Sequence, residues 1–194
     1  ALQHDVRDLA RAVSASLHLP TSLEIFCTGA VRLFAADRVS VWLHDRRARS
    51  LDLIASSDAA AVETRQRVAT DDPSVLVSKA MRGTHALTVA LAGGAATDRY
   101  VPLKGRRRAL GTLELAGVRI PIGDEIDLLD RLEELARQLS AAIENVQLLE
   151  DVLRSRRELE STFNSLADLV VVSDGKLRIT HANQAFAARL RSRA

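Results

Sequence analysis

The apolar residues of this chain change their spacing twice, from helical to alternating and back to helical. Between Leu2 and Leu17 they recur at every third or fourth position, which predicts one face of a helix. A second helix with the same spacing is predicted after Pro20 and ends near Asp37. From Val39 to Leu43 apolar and polar residues alternate, which predicts a strand, and Leu51 to Ser56 predicts the second strand of a hairpin.

The middle of the chain predicts a series of short elements. A weaker third strand is predicted between Val62 and Thr70. Asp71-Asp72-Pro73 marks the start of a helix, and Gly83 marks its end. Three further strands are predicted over Ala86–Leu91, Tyr100–Leu103 and Leu110–Ala116.

A long helix is predicted from Asp124 to Asp168, a stretch without an interrupting Gly or Pro. Its apolar positions follow a heptad spacing and then shift phase near Val152, which changes the supercoil locally. A second copy of the helix would bury this stripe, so the sequence predicts a homodimer, which the helix between Leu2 and Leu17 could join. The alternative for the part from Leu128 to Val146 is packing on the helix's own sheet. The predicted dimer and signalling residues are Leu128, Leu132, Leu135, Leu139, Ala142, Val146, Leu149, Val152, Leu159 and Phe163.

The pattern restarts after Asp168 with a strand over Leu169–Val172 and a turn at Asp174-Gly175. A second strand over Leu177–Thr180 and a helix over Ala182–Leu190 follow. Two strands and one short helix cannot bury a sheet face. We therefore expect this part to be the beginning of a second, truncated domain.

Composition places the chain among folded proteins of a reducing compartment. Hydrophobic residues are 47% and charged residues 27%, and the net charge is +2. No apolar run approaches the roughly 18 residues of a membrane helix, so no membrane segment is predicted. The single cysteine, Cys27, excludes an intrachain disulfide and favours a cytoplasmic location. Basic clusters fall in predicted turns without interleaved aromatic residues, so no nucleic-acid partner is predicted.

Catalytic and metal-binding motifs are absent from the sequence. Gly93-Gly94 lacks the Lys-Ser/Thr pair of a phosphate-binding loop, and no serine is flanked as Gly-x-Ser-x-Gly. The five histidines form no pair four residues apart and no cluster with cysteine. The sequence therefore predicts neither a catalytic site nor a metal site in this chain.

The order of elements up to Leu149 resembles a GAF domain. Val101-Pro102-Leu103 and Leu110–Leu115 resemble the last two strands of that fold, and Asp124–Leu129 with Leu139–Asn145 resemble its closing helix. The resemblance implies an α/β chain of the α+β type, with a GAF-like antiparallel sheet and flanking helices. It assigns residues 1–149 to a sensory domain.

The end of the chain resembles the opening of a PAS domain. Phe163–Asp168, Leu169–Asp174 and Ile179–Phe186 carry this resemblance, and they include the Asn183 of that family. Residues 150–165 are then a signalling coiled-coil linker, and residues 166–194 are a partial PAS fold. Together the two resemblances imply the sensory and relay region of a bacterial sensor histidine kinase, whose catalytic domain and other output lie elsewhere in the parent. The alternatives are the input region of a diguanylate cyclase or phosphodiesterase, and a GAF-gated transcriptional regulator.

GAF domains hold a small-molecule ligand on the sheet face away from their terminal helices. With Val39, Val41 and Leu43 facing those helices, the other face would form the pocket. The residues implied for it are Trp42, Ile54, Met81, His85, Tyr100, Thr112 and Glu114. The alternative is that these residues fill a closed core or remain exposed.

The cofactors known for GAF domains fit this sequence poorly. Of the cyclic-GMP constellation only Asp124-Glu125 has a counterpart, and two acids also suit any first helical turn. Cys27 lies in a predicted helix, away from the position of bilin attachment. A buried structural thiol is therefore the better interpretation of Cys27. Among the histidines only His85 is placed to reach a pocket as a haem or metal ligand. Haem, bilin and cyclic GMP are therefore not predicted, and the ligand is unknown.

Overall fold

The structure is a computed structural model that describes residues 18–92, 96–119 and 125–191, together with Asp8, Arg11 and Val13. The helices are α1 (Leu19–Phe34), α2 (Ala59–Glu63), α3 (Leu76–Arg82), α4 (Glu125–Ser165) and α5 (Gln184–Arg191). The strands are β1 (Arg38–Asp45), β2 (Ser50–Ser56), β3 (Arg67–Ala69), β4 (Leu87–Ala90), β5 (Thr97–Lys104), β6 (Ala109–Val118), β7 (Val171–Ser173) and β8 (Ile179–Ala182). The chain divides into a first unit, Ala1–Val146, and a second unit, Gln147–Ala194.

The first unit is built on a six-stranded antiparallel sheet in the order β3-β2-β1-β6-β5-β4. Hairpins join β1 to β2 and β5 to β6, while β1 pairs with β6, which lies far from it in the sequence. The predicted antiparallel α+β arrangement with flanking helices is therefore confirmed.

One face of the sheet carries the main hydrophobic core. Val39, Val41 and Leu43 alternate along β1 and are buried together with α1 residues such as Phe26. The pattern of β1 predicted this face correctly, because side chains in a strand alternate between the two faces. Val13 belongs to the same core, whereas most of the predicted helix between Leu2 and Leu17 lies outside the described residues.

The apolar stripe of α4 changes its role at Val146. In the first unit the stripe is buried in the core, and Leu128 packs against the edge of that core. These positions therefore pack within the first unit, which is the alternative that the sequence left open for this part of the stripe. The sheet face must be buried, and the amphipathic helix of the same chain buries it. The core positions are Leu132, Leu135, Leu139, Ala142 and Val146.

Beyond Val146 the stripe is not buried. Leu149, Val152 and Leu159 are exposed, and Phe163 is partly exposed. The second half of the predicted seam is thus available for a partner, while the first half is used within the fold.

Three elements begin or end at positions that differ from the sequence predictions. The helix α1 begins at Leu19, ahead of Pro20, because proline is tolerated in the first turn of a helix. The third strand shrinks to Arg67–Ala69 and is preceded by α2, which Asp58 caps by accepting a hydrogen bond from the Ala60 amide. The helix α3 begins at Leu76, three residues after Pro73.

The second unit consists of the end of α4, the β7–β8 hairpin and α5. Its one fully buried side chain among residues 147–191 is Asn183. The Asn183 side-chain amide donates to the carbonyl oxygens of Leu166 and Asp168, at 3.2 and 2.8 Å. Its Oδ1 accepts from the amides of Val170 and Phe186, both at 3.1 Å. This side chain therefore joins the segment after α4 to the start of α5.

Candidate functional site

The sheet face opposite α1 and α4 carries a second, smaller apolar cluster. The helix α3 lies over this face and contributes Val77, Ala80 and Met81. The strands contribute side chains that alternate with those of the main core. They are Trp42, Leu51, Leu53 and Tyr100.

A buried carboxylate stands among these side chains. Glu114 is 8% exposed, and strand register places it beside Ser40 of β1 and Tyr100 of β5. The indole Nε1 of Trp42 donates to Glu114 Oε2 at 2.8 Å, and Arg38 Nη2 donates to Oε1 at 3.2 Å. Each carboxylate oxygen thus has a charged or polar donor, as a buried anion requires.

Thr112 connects the sheet to the covering helix. Its Oγ1 donates to the backbone carbonyl of Val77 at 2.8 Å, and the side chain is fully buried. Thr112 therefore holds the start of α3 over β6. The sequence had implied instead that Thr112 faces a ligand.

Two serines that were not predicted for the site extend the polar part of this face. Ser40 and Ser56 are buried, and their hydroxyl oxygens lie 3.0 Å apart. Ser40 alternates with Val39 and Val41 along β1, so the same alternation that selected Trp42 could have selected it. The part of the site near Arg38 is therefore polar, and the part near Trp42 is apolar.

Ile54 and His85, which the sequence also implied for the pocket, do not lie in this cluster. Ile54 packs against the main core because a β-bulge changes the register. Val41 pairs with Ala55, but the next residue, Trp42, pairs with Leu53, so Leu53 takes the predicted place. His85 lies outside any helix or strand, and its side chain is 84% exposed. Its Nδ1 is 3.9 Å from Glu133 Oε1.

A buried arginine behind the site was also missed. Arg99 is 1% exposed and lies on β5 next to Tyr100. Its guanidinium donates to the hydroxyls of Thr88 and Thr97 and, at 3.1 Å, to Glu125 Oε1. The sequence predicted Glu125 as an acidic residue in the first turn of α4. In the structure it also links that helix to β5, the strand that carries Tyr100.

The remaining candidate groups do not form a reactive or metal-binding centre. Cys27 is fully buried, and this burial raises the pKa of its thiol, so the thiol stays protonated. Among the described residues, no three His, Cys, Asp or Glu side chains are grouped to hold a metal ion. The described helices include none long and apolar enough to cross a membrane.

Tyr100 gives a direct test of the site's electrostatics, because it is the only tyrosine of the chain. Burial, with Glu114 and Asp98 nearby, raises the pKa of Tyr100 to about 12. We expect an ultraviolet titration of the folded chain to show phenolate near pH 12, whereas the unfolded chain in urea should titrate near 10. Because the folded state disfavours the phenolate, stability should be unaffected below pH 10 and fall between pH 10 and 12.

The matched variant for this titration is Glu114→Gln, which removes one negative charge and keeps the shape of the side chain. Its midpoint should lie below that of the unmodified chain, while burial keeps it above 10. A folded-state midpoint at 10 would show that Tyr100 is not in the environment described.

Comparison with solved structures identifies the fold of the first unit. The chain matches the GAF domain of a phosphoenolpyruvate-protein phosphotransferase from Acinetobacter with a TM-score of 0.62 and 19% identity, over 77% of this chain and 97% of that one. It matches the second GAF domain of DevS from Mycobacterium smegmatis with a TM-score of 0.53 and 18% identity, over 70% and 99%. A phycoerythrobilin-bound GAF domain from a cyanobacterial phytochrome matches with a TM-score of 0.58 and 15% identity, over 77% and 98%. The first unit therefore has the GAF fold.

The sequence of the second unit has its own match. Residues 157–193 match the family model described as a PAS domain. No curated protein matches the chain by sequence. The resemblances of the two parts to GAF and PAS domains are thus confirmed, each by a different comparison.

Proposed function

We propose that this chain is the input and relay region of a signalling protein. The first unit receives a signal on the Trp42–Glu114 face, and α4 carries it toward the PAS segment. One observation supports the proposal most strongly: α4 is a single helix that is part of the GAF-fold core up to Val146 and continues without interruption to Ser165. A change in the packing of the core therefore acts on the helix that enters the PAS segment.

The parent protein that fits best is a cytoplasmic bacterial sensor histidine kinase, because tandem GAF and PAS units joined by a helix resemble the sensory half of that class. The chain itself is proposed to have no catalytic role. The alternatives are the input region of a diguanylate cyclase or phosphodiesterase and a GAF-gated transcriptional regulator. These alternatives share the relay and differ in the output domain of the parent.

The proposed ligand is a small molecule with an apolar body and a hydrogen-bond donor. The apolar body would replace part of the contact between α3 and the sheet, and the donor would face the Glu114 carboxylate. Such a ligand would displace or share the Trp42 hydrogen bond to Glu114. Trp42 is the only tryptophan, so its fluorescence reports on this site alone.

The proposed relay acts in a dimer formed along α4. Val152 is 63% exposed and belongs to the second apolar stripe of α4, which takes over at the phase shift. A second copy of the helix buries such a stripe in a parallel two-fold pair, and a small rotation changes its register. Ser161 is also exposed on α4 but lies about two and a half helical turns from Val152 and therefore on the opposite side of the helix, so it offers a matched position outside the proposed seam.

Native mass spectrometry of the purified chain tests both halves of this proposal. We expect a dimer, and we expect a bound small molecule to appear as an added mass that shifts Trp42 fluorescence. Val152→Glu should raise the dimer dissociation constant at least tenfold, because it places two like charges in the seam. Ser161→Glu adds the same charge on the opposite side of the helix and should leave the dissociation constant unchanged.

The outcomes separate the two halves. A chain that stays monomeric at micromolar concentration, or equal weakening by the two glutamates, would exclude the α4 dimer. A dimer that carries no added mass and gives no fluorescence response to a metabolite panel would exclude the ligand and leave a relay that only transmits.

A further inference from the structure

Two arginine-rich turns lie side by side at one end of the sheet. The first turn joins β1 to β2 and the second joins β5 to β6. Leu43 of β1 and Leu103 of β5 both pair with Gly111 of β6, so both turns follow at the same end of the sheet. Neighbouring strands are about 4.8 Å apart, which places the two turns roughly 10 Å from each other. We call the exposed arginines of these turns the arginine surface: Arg46, Arg47, Arg49, Arg106, Arg107 and Arg108.

The backbone of both turns is held in place by carboxylates. Asp45 Oδ1 accepts from the amides of Arg47 and Ala48 at 2.8 and 3.1 Å. In the second turn the Arg106 amide donates to both carboxylate oxygens of Glu144 on α4, at 3.2 and 3.3 Å. The arginine side chains are therefore presented from ordered loops.

Four of the six guanidinium groups are unpaired among the residues that the structure describes. Within the described part of the chain, the guanidinium groups of Arg46, Arg47, Arg106 and Arg107 make no hydrogen bond and no ion pair. Arg49 contacts Asp71, at 3.4 Å. The whole chain carries a net charge of only +2, so this surface concentrates positive charge that is balanced elsewhere.

We propose that the arginine surface docks the first unit on an anionic lipid surface. One guanidinium group can bind two phosphate oxygens at once, and the headgroup layer of an anionic membrane contains phosphates over an extended plane. The other polyanions fit the turns less well. Single-stranded nucleic acid is bound through aromatic stacking, and neither turn contains an aromatic residue.

A protein partner also fits less well than a headgroup layer. Protein interfaces depend on buried aromatic or aliphatic anchors, and the only apolar side chain between the strands of these turns is that of Ala48. Binding by arginine charge alone, without an apolar anchor, is the mode by which basic clusters attach to anionic membranes. Docking in this way requires no spanning helix.

The test is co-sedimentation of the full chain with vesicles of phosphatidylcholine, with and without 30% phosphatidylglycerol, in 0.1 M and 0.5 M NaCl. We expect binding only to the anionic vesicles and only at low salt. The test variant is R46Q/R47Q/R106Q/R107Q, which should bind on the order of 600-fold more weakly, since each of the four basic residues contributes about fivefold.

The control variant, R32Q/R65Q/R154Q/R157Q, removes four exposed arginines from other elements and gives the same net charge. It should bind like the unmodified chain. Unchanged Trp42 fluorescence in both variants shows that the fold is intact. A fluorescence anisotropy titration with a DNA duplex under the same salt conditions tests the competing polyanion.

The outcomes are decisive in each case. Binding that is lost in the test variant and kept in the control supports the arginine surface. No binding to anionic vesicles at low salt overturns the proposal, as does equal loss in both variants, which would reflect net charge alone. Tighter binding to the duplex than to vesicles of equal phosphate concentration overturns the assignment to lipid. None of these results depends on the ligand or the dimer proposed above.

Discussion

Replacing Gly111 with alanine is expected to destabilise the first unit by about 4 kcal/mol or more, a loss in the range of the most severe single substitutions. Gly111 of β6, one of the two middle strands of the sheet, lies opposite Leu43. A Cβ built on it would lie 1.8 Å from the backbone carbonyl oxygen of Trp42. Backbone atoms cannot move aside as a side-chain end can, so β1 and β6 would have to separate between the two apolar clusters.

Urea unfolding followed by Trp42 fluorescence measures this loss. The matched control is Gly175→Ala, because a Cβ at Gly175 meets no atom within 4 Å. The control should unfold at the urea concentration of the unmodified chain. If Gly111→Ala unfolded at that concentration too, the close approach of β6 to Trp42 would be wrong, and with it the geometry of the site.

Replacing Asn183 with alanine is expected to unfold the hairpin and α5 of the second unit, with a loss of about 2–4 kcal/mol. The substitution removes four side-chain hydrogen bonds at once and leaves the amides of Val170 and Phe186 without their acceptor. Residues 147–191 have no fully buried apolar side chain to compensate for this loss. The first unit does not contain these contacts and should keep its Trp42 fluorescence.

Hydrogen exchange measured by mass spectrometry follows this change segment by segment. Peptides that contain Val170 and Phe186 should lose protection in Asn183→Ala, while peptides from β1 and β6 should not. Asn164→Ala is the control, since Asn164 accepts one exposed hydrogen bond, from the Gln184 amide at 3.1 Å. Equal protection of the two peptides in Asn183→Ala and the control would mean that Asn183 does not hold the second unit together.

The two units depend on different interactions, and this difference bears on the proposed relay. The first unit is stabilised by two apolar clusters, and two α4 residues within it are bound by the sheet and its turns: Glu125 by Arg99 and Glu144 by the Arg106 amide. The second unit relies on the polar contacts of one buried asparagine. A signal that shifts α4 would therefore act against strong packing at its start and weak packing at its end.

The sequence by itself determined the types of most elements and the faces of the central ones. The alternation from Val39 to Leu43 predicted the core face of β1, because side-chain direction in a strand depends only on position. The heptad-like spacing, in a stretch without Gly or Pro, predicted α4, and the order of elements predicted the GAF fold. Five of the seven implied site residues lie on the predicted sheet face or on the helix that covers it: Trp42, Met81, Tyr100, Thr112 and Glu114.

Only the tertiary structure decided which side chains meet. The bulge beside Trp42 exchanged Ile54 for Leu53, and a bulge is a property of strand pairing. Arg99 became a buried residue because Thr88, Thr97 and Glu125 came together around it from separate segments. The stripe of α4 was divided at Val146 because its own sheet covers only the first half. Local spacing fixes the direction of each side chain, whereas contacts between segments distant in sequence depend on the register and packing of the whole fold.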